Sequence, residues 1–400
     1  MTGTIPNFEF ATATRIIFGA GQAASLGKLA REYGQRALLV TGSSAERVEP
    51  LRQNVEASGV RTIPFTVGGE PTIQMASDGV RLAEENGCEL VIAVGGGSVI
   101  DAGKAIAALV TNPGDILDYL EVIGKAQPLE NAPLPFIAVP TTAGTGAEVA
   151  RNAVLSSAEH AVKVSLRSPL MLPKIALVDP ELTYDLPPNL TASTGMDALT
   201  QLIEPFVSVA ANPLTDALCR EGIQRAGRSL RTAFEQGAAA PAAREDMALA
   251  SLFGGLALTN AKLGLVHGFA GPLGGMYPIP HGVACAALLP HVMSANIAAL
   301  RAREAENPFF THALDRYTEV ARILISNPQA TAEAGAAWIS ELCYTLQIPS
   351  LAEYGIDSKH FDAIIEKAEN ASSTKGNPLA LTHGELYAIL QNASHPAGEV

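Results

Sequence analysis

The sequence predicts an α/β half followed by an all-helical half, and three observations carry that expectation. Short apolar runs of strand length alternate with helix-like stretches from the N-terminus to residue 186. The alternation stops at "PPNLTAS", residues 187–193. Beyond it, long alanine- and leucine-rich helical patterns follow with no strand-like segment. The two domains are therefore set at 1–186 and 187–400. A chain of 400 residues also exceeds what one ordinary core organises.

In the first half "ALLVT" (37–41), "LVIAV" (90–94), "PFIAVP" (135–140) and "IALVD" (175–179) are strands ended by Gly, Thr or Pro signals. Between the early ones, "EPLRQNVEASG" and "ASDGVRLAEENG" have helical spacing. Continuous apolar strands separated by helices imply a parallel sheet covered on both faces. In the second half helices are expected over 213–235, 241–260, 282–299 and 329–346. The final "NASHPAGEV" has the composition of a frayed tail, and no internal repeat is present.

Charge and composition narrow the partners. With 27 basic and 40 acidic residues the net charge is −13, and no long basic run occurs. Neither a nucleic acid nor an anionic membrane surface suits that field. No apolar run reaches about 18 residues, so no membrane span is expected. The start, "MTGTIPNFEFATATRIIFG", lacks a basic stretch followed by an apolar core, so no signal peptide is expected. Cys88, Cys219, Cys285 and Cys343 stand far apart among apolar or helical residues. They are expected to be reduced packing thiols of a cytoplasmic protein.

Two glycine loops carry the first chemistry. "LVIAVGGGSVIDAGKAIAALV" joins a buried strand, Gly95-Gly96-Gly97-Ser98 and a helix. Glycines admit an anion close to the backbone, and a helix start offers free N–H groups. The loop is either a pyrophosphate cradle or a tight strand-to-helix turn, since the G-x-G-x-x-G spacing is absent. "VPTTAGTGAEV" (139–149) also follows a strand and offers the hydroxyls of Thr141, Thr142 and Thr145. Together the two loops suggest a nucleotide cleft, and neither has the P-loop pattern.

"VHGFAGPLGGMYPIPHG" (266–282) places two of the eight histidines, His267 and His281, in a stretch almost free of other side-chain chemistry. They either converge on a metal or substrate oxygen, or cap a loop separately. "NLTASTGMDALTQLIEPFVS" (189–208) puts Asp197 and Gln201 four apart, on one side of an apolar helix. A carboxylate there needs a partner or a metal if buried, or else lies at the surface near a helix N-terminus.

The ordered set "GGGSVID…GK", "PTTAGTGAEV", "DPELT", "TGMDALTQLIEPFVS", "NPLTDAL" and "VHGFAGPLGG…PHGVACAALLPHVM" resembles the iron-containing (group III) alcohol dehydrogenases over nearly the whole chain. The resemblance implies a Rossmann-like nucleotide domain, a helical domain, and an active site with one divalent metal in the cleft between them. It also implies a homodimer acting on a small alcohol, aldehyde or keto substrate. In that family an Asp and a His four apart bind the metal with two later histidines. Asp197, His267 and His281 match three of them, and Gln201 stands where His is usual. Fe²⁺ or Zn²⁺ held by Asp197, Gln201, His267 and His281 is the implied centre. Gly271 stands where many members carry a non-ligand His. Gly42, Gly95, Gly96, Gly97, Ser98, Asp101, Thr141, Thr142 and Thr145 are the implied cofactor contacts, and Asn152 faces substrate. A pocket lined by apolar groups from 151–170 and 252–280 is expected.

The implied reaction is hydride transfer between an alcohol carbon and nicotinamide. A metal would act as Lewis acid; without one, His267 or His281 would donate to the substrate oxygen. The metal-independent maleylacetate reductases share the fold and resemble "KVSLRSPLMLPKIALVDPELT" and "NPLALT". A dehydroquinate-synthase-like lyase or a non-catalytic nucleotide-binding protein are further alternatives on this scaffold. After "LLVT", Gly42 stands where NAD-selective relatives have an acidic residue, with Ser43, Ser44 and Arg47 nearby. Nothing there repels a 2′-phosphate, so NAD and NADP both stay open.

Overall fold

The structure is a computed structural model that describes residues 7–160 and 162–395. Of the expected tail, residues 396–400 lie outside the described residues, as do residues 1–6 of the segment searched for a signal peptide. The chain forms two compact units: Ala11–Tyr184, and Asp185–Val400 with Met1–Phe10.

The first unit contains, in chain order, β1 Arg15–Phe18, α1 Leu26–Arg31, β2 Arg36–Thr41, α2 Ala45–Ala57 and β3 Arg61–Thr66. Then come α3 Ile73–Glu85, β4 Leu90–Gly95, α4 Gly97–Leu109, α5 Ile116–Tyr119, β5 Phe136–Pro140, β6 Asn152–Ser157, β7 Val162–Arg167 and β8 Ile175–Val178. Six strands make one parallel sheet in the order β1-β8-β5-β4-β2-β3. The period of two along a strand explains the continuous apolar runs. Leu39, Ile92 and Val139 pack on one face with Leu26, Leu51 and Val55 of α1 and α2. Leu38, Val91 and Ala138 pack on the other with Ala83, Ile100 and Ile106 of α3 and α4. Both faces are covered, as a parallel sheet requires.

The four strands expected from sequence are the four inner ones. Both edge strands, β1 and β3, go unrecognised by it, as does the antiparallel hairpin β6–β7. β3 carries Pro64, which an edge position tolerates because one side of the strand needs no ladder donor. The hairpin buries Ala153, Leu155 and Leu166 against Ala105 and Leu109 of α4. Helix α4 is therefore covered along most of its length.

The second unit is helical among the described residues: α6 Pro188–Val207, α7 Pro213–Gln236, α8 Pro241–Asn260, α9 Leu265–Met276, α10 His281–Ala302, α11 Pro308–Ile325, α12 Ala332–Thr345, α13 Phe361–Asn370 and α14 His383–Ala393. Helix α6 lies at its centre, packed by α7, α8, α10 and α11. Nearly every residue from Thr191 to Val207 is buried, so any polar side chain there needs a partner. Helix α10 is long and apolar enough to cross a membrane, but most of its apolar window is buried against α6, α9, α12 and α14.

Candidate functional site

The sheet brings the first set of chemistry-bearing residues together. Chain order runs outward from β2 to β3 in one direction, and through β4, β5 and β8 in the other. The reversal between β2 and β4 opens a crevice at their C-terminal ends, where open α/β sheets take ligands. Gly42 follows β2, and Gly95–Ser98 ends β4 and starts α4. A Cβ on Gly42 would lie 3.7 Å from Val99 of α4, so these two segments are neighbours. The 141–146 loop joins them, with the Thr141 N–H donating to the Gly95 carbonyl at 3.0 Å. A Cβ on Gly97 would lie 2.7 Å from Thr145, and one on Gly95 2.6 Å from Val99. Gly96 differs, because a Cβ there would meet Thr142 only at 3.4 Å.

Asp101 and the Asn152 backbone also make structural bonds in this unit. An Asp101 carboxylate oxygen accepts the Val154 N–H at 3.1 Å, tying α4 to β6. The Asn152 carbonyl accepts from Lys104, whose Nζ also donates to the Ala147 carbonyl, each at 2.7 Å. Lys104 is 1% exposed, and it pins the end of the threonine loop to the hairpin. Burial lowers the Lys104 ammonium to about 8, against the pull of Asp101 and Glu148. Burial likewise raises the Glu148 carboxyl to about 7. Sequence analysis did not single out Lys104; its signal was one lysine inside the otherwise apolar "AGKAIAALV".

The second set lies in the helical unit, on α6, α9 and α10. Asp197 Oδ1 is 3.4 Å from His267 Nε2 and 3.7 Å from His281 Nε2. The two histidines thus converge, and the loop-cap alternative falls. Cys285 Sγ joins them, 3.9 Å from His267 Nε2 and 3.7 Å from His281 Nε2. One ligand atom from each of Asp197, His267, His281 and Cys285 lies within 4.8 Å of every other. Cys285 is buried as expected, but the expectation of a mere packing thiol is corrected here. It is four residues after His281 on α10, so the two share a helix face.

Local sequence explains how three helices meet so closely. A Cβ on Gly282 would lie 2.4 Å from the Ser193 carbonyl, so only glycine lets α10 start against the α6 backbone. A Cβ on Gly264 would lie 2.7 Å from Glu204 Oε1, so the α9 start depends on glycine in the same way. Glu204, like Lys104, was not singled out from the sequence. It is 5% exposed, seven positions after Asp197 on α6, and two helical turns bring it to the same side. His267 Nδ1 donates to Glu204 Oε2 at 2.6 Å, and the Val266 N–H donates to Glu204 Oε1 at 2.6 Å. That bond keeps a proton on Nδ1 and aims Nε2 at Asp197 and Cys285, ready to ligate once it gives up its own proton.

The electrostatics call for a cation. Burial opposes ionisation of Asp197, yet the charge of His281 foremost, with His267 and Gln201 beside it, holds its carboxyl below the usual range. His267 is raised well above an ordinary imidazole: burial works against its proton, but Cys285, Asp197 and Glu204 overcome it. The Cys285 sulfur foremost, and Asp197 against the cost of burial, raise His281 to about 9. Asp197 Oδ1 and Gln201 Oε1 are buried with no hydrogen-bond partner. An unpartnered carboxylate oxygen facing two imidazole nitrogens and a sulfur fits a divalent metal. Gly271, one turn after His267 on α9, has open space where a Cβ would go.

Comparison with known proteins shows the family. The model of the family described as iron-containing alcohol dehydrogenase matches residues 13–180, and the model of that family's C-terminal part matches 191–394. Alcohol dehydrogenase 4 of Schizosaccharomyces pombe is 35% identical over 395 residues, 97% of this chain and 88% of its own length. A solved structure of a 1,3-propanediol oxidoreductase has a TM-score of 0.89 at 34% identity, covering 97% of this chain and 100% of that one. A sulfoacetaldehyde reductase from Bifidobacterium kashiwanohense, solved in complex with NAD⁺, has a TM-score of 0.83 at 28% identity, covering 97% and 99%. With both halves matched in order, and the strand ends and helix faces populated as described, the chain belongs to the iron-containing alcohol dehydrogenase family and is an oxidoreductase acting on CH–OH groups.

Proposed function

We propose that this protein interconverts a small alcohol and its carbonyl compound with NAD or NADP, using a divalent metal held by Asp197, His267 and His281. Residues 1–186 bind the dinucleotide in this proposal, and residues 187–400 hold the metal. The observation that carries it is the unpartnered Asp197 oxygen with two imidazole nitrogens converging on it. The NAD⁺ complex of the sulfoacetaldehyde reductase supports the choice of cofactor class. Gln201 either completes the metal shell weakly through its carbonyl or hydrogen-bonds beside it. Family resemblance and four buried free cysteines support a cytoplasmic homodimer as the working form.

Each residue has a derivable task. The start of α4 and the glycines before it receive the pyrophosphate, with the threonine hydroxyls of the neighbouring loop beside them. Bound metal supplies Lewis-acid stabilisation for the negative charge that develops on the substrate oxygen during hydride transfer. Asp197 brings the negative charge that retains a cation in a buried site. Glu204 keeps His267 in the tautomer whose Nε2 can ligate. His281, with its side chain 37% exposed, marks the side of this cluster that is open to solvent. The direct test follows reduced-nicotinamide absorbance over a panel of aldehydes, before and after chelation. Activity with no bound divalent metal would overturn the metal half of the proposal.

Two further expectations concern the cofactor. Gly96→Ala adds one methyl where the backbone approaches phosphate, and the 3.4 Å clearance to Thr142 lets the fold accept it. Nucleotide affinity is expected to fall about tenfold or more, from loss of that close approach. Titration of protein fluorescence with NADH and NADPH measures it, and unchanged affinity removes the loop from the site. Gly42→Asp places a carboxylate at the end of β2, where it accepts from a ribose 2′-OH and repels a 2′-phosphate. The NADP/NAD ratio of kcat/KM is expected to drop at least about tenfold, the size of a modest charge repulsion. An unaltered ratio means that the 2′ position lies against another strand end.

A further inference from the structure

We propose that Cys285, and not Gln201, is the fourth protein ligand of this metal site, bound as a thiolate, and that it biases the site toward zinc. The proposal rests on the metal site at Asp197, His267 and His281. Its own support is geometric. With metal–nitrogen and metal–oxygen bonds of about 2.0–2.1 Å and metal–sulfur bonds of about 2.3 Å, the edges of a tetrahedral zinc shell are about 3.3–3.6 Å. Four of the six separations among Asp197 Oδ1, His267 Nε2, His281 Nε2 and Cys285 Sγ run from 3.4 to 3.9 Å, and all ligand atoms lie within 4.8 Å of one another. Four donors from three helices thus stand close enough to share one ion, and substrate oxygen would enter as a fifth ligand on the open side beside His281.

A packing role does not account for this arrangement. One S–H proton can serve one acceptor, yet the sulfur faces two Nε2 atoms. Glu204 holds a ring proton on His267 Nδ1, so Nε2 is the nitrogen left to ligate. The Asp197 oxygen beside them has no donor of its own. A carboxylate oxygen, a sulfur and two Nε2 atoms therefore face one point, and a divalent cation can replace the protons they would otherwise share.

Gln201 is turned differently. Its side chain lies beside the Asp197 carboxylate and favours its charged form, and its buried Oε1 lies 3.6 Å from the position of a Cβ on Gly254 of α8. It braces Asp197 and leaves the fourth place to sulfur. On binding, the Cys285 S–H bond breaks, the proton leaves to solvent, and the sulfur lone pair forms the metal–sulfur bond. One carboxylate, one thiolate and two neutral imidazoles then balance a divalent cation, which suits a buried site. A soft thiolate favours zinc over ferrous iron more than a fourth imidazole does.

The test uses metal-free full-length protein and cobalt(II) as the probe. The parent is expected to bind one cobalt per chain, with visible ligand-field bands and an intense near-ultraviolet thiolate-to-cobalt band. Cys285→Ser and Cys285→Ala lose the charge-transfer band, bind cobalt on the order of tenfold or more weakly, and lose part of the zinc preference in zinc–iron competition. Gln201→Ala keeps the band. Cys343→Ala, whose buried thiol donates to the Ala286 carbonyl, also keeps it and controls for the other thiols. Stoichiometric cobalt without the charge-transfer band in the parent overturns the Cys285 assignment and leaves the Asp197–His267–His281 site standing. Parent protein that takes up no cobalt, zinc or iron overturns both. Retained circular dichroism in the Cys285 variants shows that any lost band reports ligation, not unfolding.

Discussion

Asp197→Ala and His267→Ala are each expected to abolish stoichiometric metal and lower kcat/KM on the order of a thousandfold, the several kcal/mol that Lewis-acid stabilisation supplies. The two variants act through different physics. Asp197 is 2% exposed and contributes negative charge at the centre of the cluster. Without it, the two imidazoles bring no charge, and a Cys285 thiolate alone leaves a divalent cation in a buried site half balanced. His267 contributes a neutral nitrogen whose direction Glu204 fixes, so its loss removes a ligand and strands the Glu204 carboxylate. Either loss leaves at most three protein ligands, without the central carboxylate or without the imidazole that Glu204 orients, which is too little to retain the ion at stoichiometric occupancy. Metal per chain by mass spectrometry, after growth with iron and separately with zinc, is the measurement. Nucleotide binding should be unchanged in both, because Gly42, Gly95–Ser98 and the threonine loop lie in the other unit. Full metal content in Asp197→Ala would mean that the ion sits elsewhere.

What the sequence revealed follows from burial. The strands it located, β2, β4, β5 and β8, are apolar on both faces and so form unbroken runs. The strands it missed are the two edges and the hairpin, where half of the side chains meet water or a single helix. Their alternation is short, and in β3 a proline interrupts it. The glycine loops were legible because tight approach demands glycine at the ends of those same strands.

The metal cluster was legible only in part, because it is assembled by helix crossings. Asp197, His267 and His281 stood out as polar residues in apolar stretches and by resemblance. Cys285 did not, since a cysteine in an alanine-rich helix looks like packing until α9 is laid beside α10. Its offset from His281 held the signal, a spacing of four on one helix face. Glu204 was hidden in the same way: its partners are on α9, 62 and 63 residues away. Only its spacing of seven from Asp197 pointed to that side of α6.

Glu204→Ala is expected to be the most damaging change outside the ligands themselves. The carboxylate is 5% exposed and accepts two bonds at 2.6 Å, one from the Val266 N–H at the start of α9 and one from His267 Nδ1. Alanine leaves both donors buried and unpaired, which costs about 2–5 kcal/mol of stability. It also frees the His267 ring to turn or to move its proton to Nε2, where it cannot ligate. Metal affinity is expected to fall about 10–100-fold, the usual penalty for losing the carboxylate behind a ligating histidine. Glu204→Gln separates the two effects. Its carbonyl can still accept from one donor, but its NH₂ confronts the other, so stability recovers partly while the His267 tautomer is no longer enforced. Urea denaturation measures the first effect. Competition with a chromophoric chelator measures the second, and nitrogen NMR of labelled histidine reads the tautomer directly. Unchanged metal affinity and an unchanged Nδ1–H tautomer in folded Glu204→Gln would reduce Glu204 to a cap for α9.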